Sequence, residues 1–185
     1  MNRYSLRLAA AAALAIALTA PSLAFADEDE PYRDAAQVRE ELVKVLTCQA
    51  KRADFMRLAN ALTPVYYGKP AQPALAGWAK AEDANAFVAL IKMPEPVKVY
   101  GHPTRQLMMA GEGMLAVLDG DHADALAAEL KLAPSSEPLA RHIRSRELRK
   151  EPLGDGVEAK INQTVSTLTT HPGKTMVGCE YRMFN

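Results

Sequence analysis

The hydrophobic positions along the chain change period several times, and each change marks an element. Val38, Leu42, Val45 and Leu46 recur at helical spacing behind Asp34, an N-cap residue with Gln37 three places on to close a capping box. Continuing that phase would turn Gln49 and Arg52 inward, and a second phase of Phe55, Leu58, Ala59 and Leu62 starts instead. The pattern predicts two helices with a break at residues 47–50, where Cys48 lies, and a stop at Pro64. Residues 64–77 are rich in Pro, Gly and Ala and read as irregular chain; they carry Tyr66 and Tyr67 and lead to Trp78, the single tryptophan.

Residues 82–93 fit a helix through Phe87, Leu90 and Ile91, or a strand through Phe87, Ala89 and Ile91. Pro94 and Pro96 close the segment and favour the strand. Val97 and Val99 then alternate with Lys98 and Tyr100, residues 101–104 form a turn, and residues 105–110 make a strand with Leu107 and Met109 on one face. After a second turn at residues 111–113, residues 114–118 are apolar on both faces, as in a strand covered on both sides. Breaks this short require antiparallel neighbours, so the centre of the chain predicts a three-stranded meander.

Asp121 is placed to cap a short helix with Asp124 in its first turn, Leu126 and Leu130 on its buried face, and Pro134 to end it. A linker at residues 134–138 and a basic run at residues 141–150 follow. Residues 157–169 are rich in Val, Ile and Thr and favour a strand, although Val157, Ile161, Val165 and Leu168 also suit a helix. Pro172-Gly173 makes a turn, and Val177, Cys179, Tyr181 and Met183 share one face of a final strand. The fold class is α+β: an antiparallel sheet, built of the central meander and a C-terminal hairpin, covered by the N-terminal helices and one mid-chain helix.

The N-terminus changes the compartment expected for this fold. Arg3 and Arg7 precede an uncharged run at residues 8–20 and the small-residue pattern Ala24-Phe25-Ala26. This is the form of a secretory signal peptide cut after Ala26, leaving residues 27–185 as one domain in the periplasm or outside the cell. No second apolar run is long enough to span a membrane. In an oxidising compartment Cys48 and Cys179 read as one long-range disulfide, which leaves no cysteine for nucleophilic or metal chemistry. The 22 basic and 22 acidic residues balance, and loss of Arg3 and Arg7 leaves the mature chain two units negative. A general nucleic-acid binder would be strongly basic.

Chemistry is harder to find than architecture. His102, His122, His142 and His171 lack metal-helix spacing, and Asp119, Asp121 and Asp124 do not follow a calcium-loop order. Met108, Met109 and Met114 with His102 raise copper, but neighbouring strand residues point to opposite faces. The serines at 135, 136, 145 and 166 lie in no nucleophile motif. No catalytic residue, metal site or cofactor is assigned. What remains is recognition: Tyr66, Tyr67 and Trp78 in or beside a loop, and His102 and Arg105 at the rim of the central turn. Arg141, Arg144, Arg146 and Arg149 read as a solvated face, or as one turned to an acidic partner. The expected function is a periplasmic, non-catalytic protein that binds another protein, such as an inhibitor or immunity protein against a cell-envelope-directed enzyme. A small-ligand or copper carrier, and an envelope hydrolase using scattered acids with His102, are the other readings.

Overall fold

A computed structural model of the chain describes residues 30–82, 89–135, 142–167 and 172–184. The expected signal peptide lies outside the described residues, as do Phe87, Pro138, Arg141, Leu168 and His171. The architecture is three helices and one eight-stranded antiparallel sheet.

Helix α1 (Ala35–Leu46) begins as its sequence asks: the Asp34 carboxylate accepts the Gln37 N–H at 2.9 Å. The return bond of the box is displaced by one residue, because the Gln37 side chain accepts from the Arg33 N–H rather than from that of Asp34. The expected break holds. Cys48 turns the chain in the left-handed region (φ 61°), and the Gln49 and Ala50 N–H groups both donate to the Lys44 carbonyl. Helix α2 (Arg52–Tyr66) starts there, with the Asp54 carboxylate accepting the Lys51 N–H. Pro64 does not stop it. A proline leaves one carbonyl unpaired but does not prevent the next residues from bonding back, and Tyr67 N–H still reaches the Thr63 carbonyl.

The sheet is assembled from two runs of four strands. The first is β1 (Ala79–Lys80), β2 (Ala89–Val99), β3 (His102–Ala110) and β4 (Gly113–Asp119). Helix α3 (Ala123–Glu129) crosses to the far edge, and the chain returns through β5 (Ala133–Pro134), β6 (Ile143–Gly154), β7 (Val157–Ser166) and β8 (Lys174–Phe184). The order is β1-β2-β3-β4-β8-β7-β6-β5, so the expected meander and hairpin belong to one sheet, joined where β4 pairs with β8. Each half runs helix, two-residue strand, then three long strands, a repeat of topology that the sequence does not display.

Several expected boundaries move. Pro94 and Pro96 lie inside β2, which absorbs them in a register shift between Lys92 and Val97. The turn after β2 is Tyr100-Gly101, both at positive φ, so His102, Pro103 and Thr104 already belong to β3. Asp121 sits one residue too early to cap α3; His122 holds that place, and Asp121 accepts only a long bond from the Ala123 N–H. Helix α3 ends at Glu129, before Pro134, which lies in β5.

The main core lies between the helices and one face of the sheet. Val38, Leu42, Leu58 and Leu62 meet Leu107, Met114, Ile161 and Val177, and Phe55 stacks on Tyr181 with centroids 4.7 Å apart. The Cys48–Cys179 disulfide lies inside it and ties the α1–α2 junction to β8, as the face of β8 requires. Leu90, Met108, Leu115, Val117 and Met176 form a second buried cluster on the opposite face. Met108 and Met109 thus point to opposite faces, while Met109 pairs with Met114 on the helix side.

Candidate functional site

The loop after α2 builds the aromatic surface from the chain outward. Gly68 at φ 64° turns the chain away from α2, and a single helical turn at Pro73–Leu75 carries it back to the sheet. Gly77, at φ 81°, then delivers Trp78 with its N–H on the Leu75 carbonyl. A β-carbon on Gly77 would lie 3.2 Å from Pro94 Cβ, so glycine lets the bulge of β2 lie against this loop. Trp78 is half-buried against the main core and separates two clefts. The larger, of about 410 Å³, lies between the end of α2 and β1 and is walled by Lys69, Pro73 and Lys80. The smaller, of about 230 Å³, runs toward the start of α1 and is walled by Met93, Pro94 and Val97, with the Arg39–Glu95 ion pair beside them.

Tyr66 and Tyr67 lie beside Lys80 and Lys69, two of the residues that wall the larger cleft. Their rings meet edge to face at 5.1 Å. Tyr66 is half-buried, with the Lys80 ammonium 4.6 Å from its ring centre. Tyr67 is 65% exposed, the most exposed large apolar side chain among the described residues, and Lys69 lies 5.9 Å from its ring. Tyr66, Tyr67 and Trp78 therefore share one end of the molecule, with Tyr66 on the last turn of α2 rather than in the loop.

His102 and Arg105 do not join that surface. His102 stacks on His122 with ring centroids 4.3 Å apart, and the His122 Nε2 contacts the Asp119 carbonyl at 2.8 Å. The two imidazoles lie beside the N-terminus of α3, and among the described residues no group of three His, Cys, Asp or Glu is placed to hold a metal ion. Arg105 reaches the β2 bulge from its other side, donating to the Pro94 carbonyl at 2.6 Å, and walls a third cleft with Lys92 and Lys174. Sequence reasoning missed both Lys92 and Lys174. Lys92 stood outside every motif, and only the bulge brings it to Arg105.

The described arginines of the basic run on β6 remain partly open to water but are not unpartnered. A register shift between Glu147 and Arg149 brings Arg149 to the side of Arg144 and Arg146. Arg144 pairs with Asp124 of α3, Arg146 donates to the Gln163 amide oxygen, and Arg149 donates to the carbonyls of Cys48 and Ala50. Glu151 accepts from both Arg149 and the Arg52 N–H. Arg52, buried after all, pairs with Glu112 at 3.0 Å and donates to the Tyr181 carbonyl. The Arg57–Glu41 ion pair is buried on both sides, and Glu41 accepts the Tyr32 hydroxyl. Burial and the Glu41 carboxylate push the Tyr32 phenol well above its usual range. These groups answer one another within the fold.

The chain matches no protein-family model, no curated protein and no solved structure.

Proposed function

We propose that this chain is an exported, non-catalytic binding protein that engages another protein through the surface around Tyr67 and Trp78. Tyr67 carries the reading: a large aromatic ring, two-thirds exposed, beside Lys69, which walls the larger cleft. Aromatic anchors beside recessed apolar walls are the side chains that dominate protein contacts. Lys69, Lys80 and the Arg39–Glu95 pair supply a charged rim, which favours a partner with carboxylates at the matching positions. Reading residues 1–26 as an export signal supports a partner in the cell envelope, where an inhibitor of an envelope enzyme would act. No described helix is long and apolar enough to cross a membrane.

The test is affinity capture from envelope extract with the wild-type chain and with Tyr67→Ser and Trp78→Ala. The expected result is one stoichiometric partner, with affinity lowered about thirtyfold or more by either substitution, the loss typical of an interface anchor. Addition of the pure chain then lowers that partner's activity if the partner is an enzyme. Recovery of the same partner at equal affinity by both variants sinks the assignment of this surface.

A further inference from the structure

The third cleft, about 340 Å³ in volume, opens where the register of β2 and β3 slips. Residues 93–96 of β2 have no partner residue in that ladder, and two of them are prolines without an N–H to offer. The slip leaves Lys92 and Arg105 on the wall of one recess, with Lys174 from the first position of β8 on it as well. We propose that this cleft binds a small phosphate monoester, its phosphate held by Lys92, Arg105 and Lys174 and its organic group laid on Pro96, Pro103 and Val117.

Charge selects the ligand class. Three cations and one carboxylate, Asp119, wall the cleft, so its balance is two positive charges. Asp119 is already paired with Lys174. The Lys92 ammonium has no hydrogen-bond or ion-pair partner among the described residues. Arg105 spends one terminal nitrogen on the Pro94 carbonyl and keeps the other free in the same plane. The Gln106 side-chain amide is likewise uncommitted among the described residues. This set can donate to an anion from several directions at once. A phosphate monoester carries close to two negative charges at neutral pH and three acceptor oxygens, and arginine meets such an oxygen pair with two parallel N–H groups. A carboxylate or a sulfate ester has one charge and leaves the balance unmet. Thr104 is fixed beside them, its hydroxyl accepting from the Gln106 N–H at 3.1 Å and lying 2.6 Å from the Val117 carbonyl. The volume falls in the range of small-molecule sites, more than a bare phosphate needs.

This site is separate from the Tyr67 surface and stands or falls independently of it. The experiment titrates the isotopically labelled protein with phenyl phosphate, inorganic phosphate and phenyl sulfate, following backbone amide shifts. The expected result is saturable shifts at Lys92, Gln106, Val117 and Lys174, tighter for phenyl phosphate than for inorganic phosphate, and weakened by added salt. Phenyl sulfate should bind about tenfold more weakly, and Lys92→Gln with Arg105→Gln should weaken phenyl phosphate by about tenfold or more. Both side chains are exposed, so the variant keeps its dispersed spectrum; Lys92→Gln alone is the second variant and should lose part of the same affinity. Sedimentation with vesicles containing phosphatidic acid, lost in the variants, would assign the ester to a lipid headgroup; phenyl phosphate binding without sedimentation would assign a soluble ester. The proposal is overturned by the absence of saturable shifts up to about 10 mM phenyl phosphate, by equal binding of phenyl sulfate, or by unchanged affinity in both variants.

Discussion

Gly178 stands opposite Leu115 at the seam between β4 and β8, and a β-carbon there would lie 2.8 Å from the Leu115 Cα and run into the Met114 carbonyl oxygen. Its backbone is ordinary extended chain, so glycine is required for space and not for conformation. The two nearest neighbours that a methyl group would meet are backbone atoms, which cannot swing aside as a flexible side chain can. Gly178→Ala must therefore push the two halves of the sheet apart at the position next to Cys179. The expected loss is about 2–4 kcal/mol, the range of overpacked or strained core substitutions. Gly173 provides the comparison. It sits at φ 74° with nothing within 4 Å of a β-carbon, so Gly173→Ala meets only the left-handed penalty of about 1–2 kcal/mol. Urea midpoints of the two variants measure the difference, and equal midpoints would show that the seam opens without strain. Cys48 carries the same left-handed conformation without being glycine (φ 61°), held there by the disulfide and by the bonds that its neighbours make.

Those neighbours define the element scale, because the α1–α2 junction is gripped from the sheet by a row of charges. Arg149 of β6 donates to the Cys48 and Ala50 carbonyls, Glu151 receives both Arg149 and the first N–H of α2, and Arg52 answers Glu112 in the β3–β4 turn. The junction's carbonyls have left helical pairing, and the cationic donors replace it. Arg149→Met removes two charge-assisted bonds while keeping the length of the side chain. It should cost about 2 kcal/mol, discounted because the guanidinium is partly open to water. It should also speed reduction of the disulfide by dithiothreitol in the native protein, read by thiol labelling over time; an unchanged reduction rate would assign the junction's order to packing alone. Helix periods and strand alternation made this region legible in outline: the break at Cys48 and the inward face of β8 follow from spacing, and the pairing with Cys179 from two cysteines in an oxidising compartment. The charge row did not, because Arg149 joins the side of Arg144 and Arg146 only through the register shift of β6 between Glu147 and Arg149. The same limit applied at the clefts. Tyr67 and Trp78 were visible as aromatics beside a proline-rich loop, whereas Lys92 meets Arg105 only through a register slip that no local pattern announces.

At the scale of the whole molecule the two four-strand runs share one helical layer, and α1 is its best-anchored member. Three tyrosine hydroxyls from outside the helix reach it: Tyr32 bonds Glu41, Tyr100 lies 3.4 Å from the Leu46 carbonyl, and Tyr181 bonds the Val45 carbonyl at 2.9 Å. Val45 and Leu46 end α1, where carbonyls lack partners within the helix, so these phenols complete it. All three have their ionisation pushed upward by burial, reinforced at Tyr32 by the Glu41 carboxylate and opposed at Tyr100 by the donating Gln163 amide. The sign follows from linkage. Each folded phenol holds its proton beyond the unfolded value of about 10, so its stabilisation is complete below that pH and declines as the pH rises toward the folded value. Through that window each tyrosine removes about 1.4 kcal/mol of stability per pH unit. The protein should therefore hold its stability to about pH 10 and lose it steeply above. Tyr181→Phe should begin about 1 kcal/mol less stable, having lost the bond to Val45, yet fall with a shallower alkaline slope, so the two stability curves converge as pH rises. Urea unfolding of both proteins between about pH 8 and pH 11 tests this, since lysine ionisation is common to both and cancels in the difference. Parallel curves would mean that the Tyr181 phenol ionises in the folded state as readily as in the unfolded chain, and that α1 does not depend on its proton.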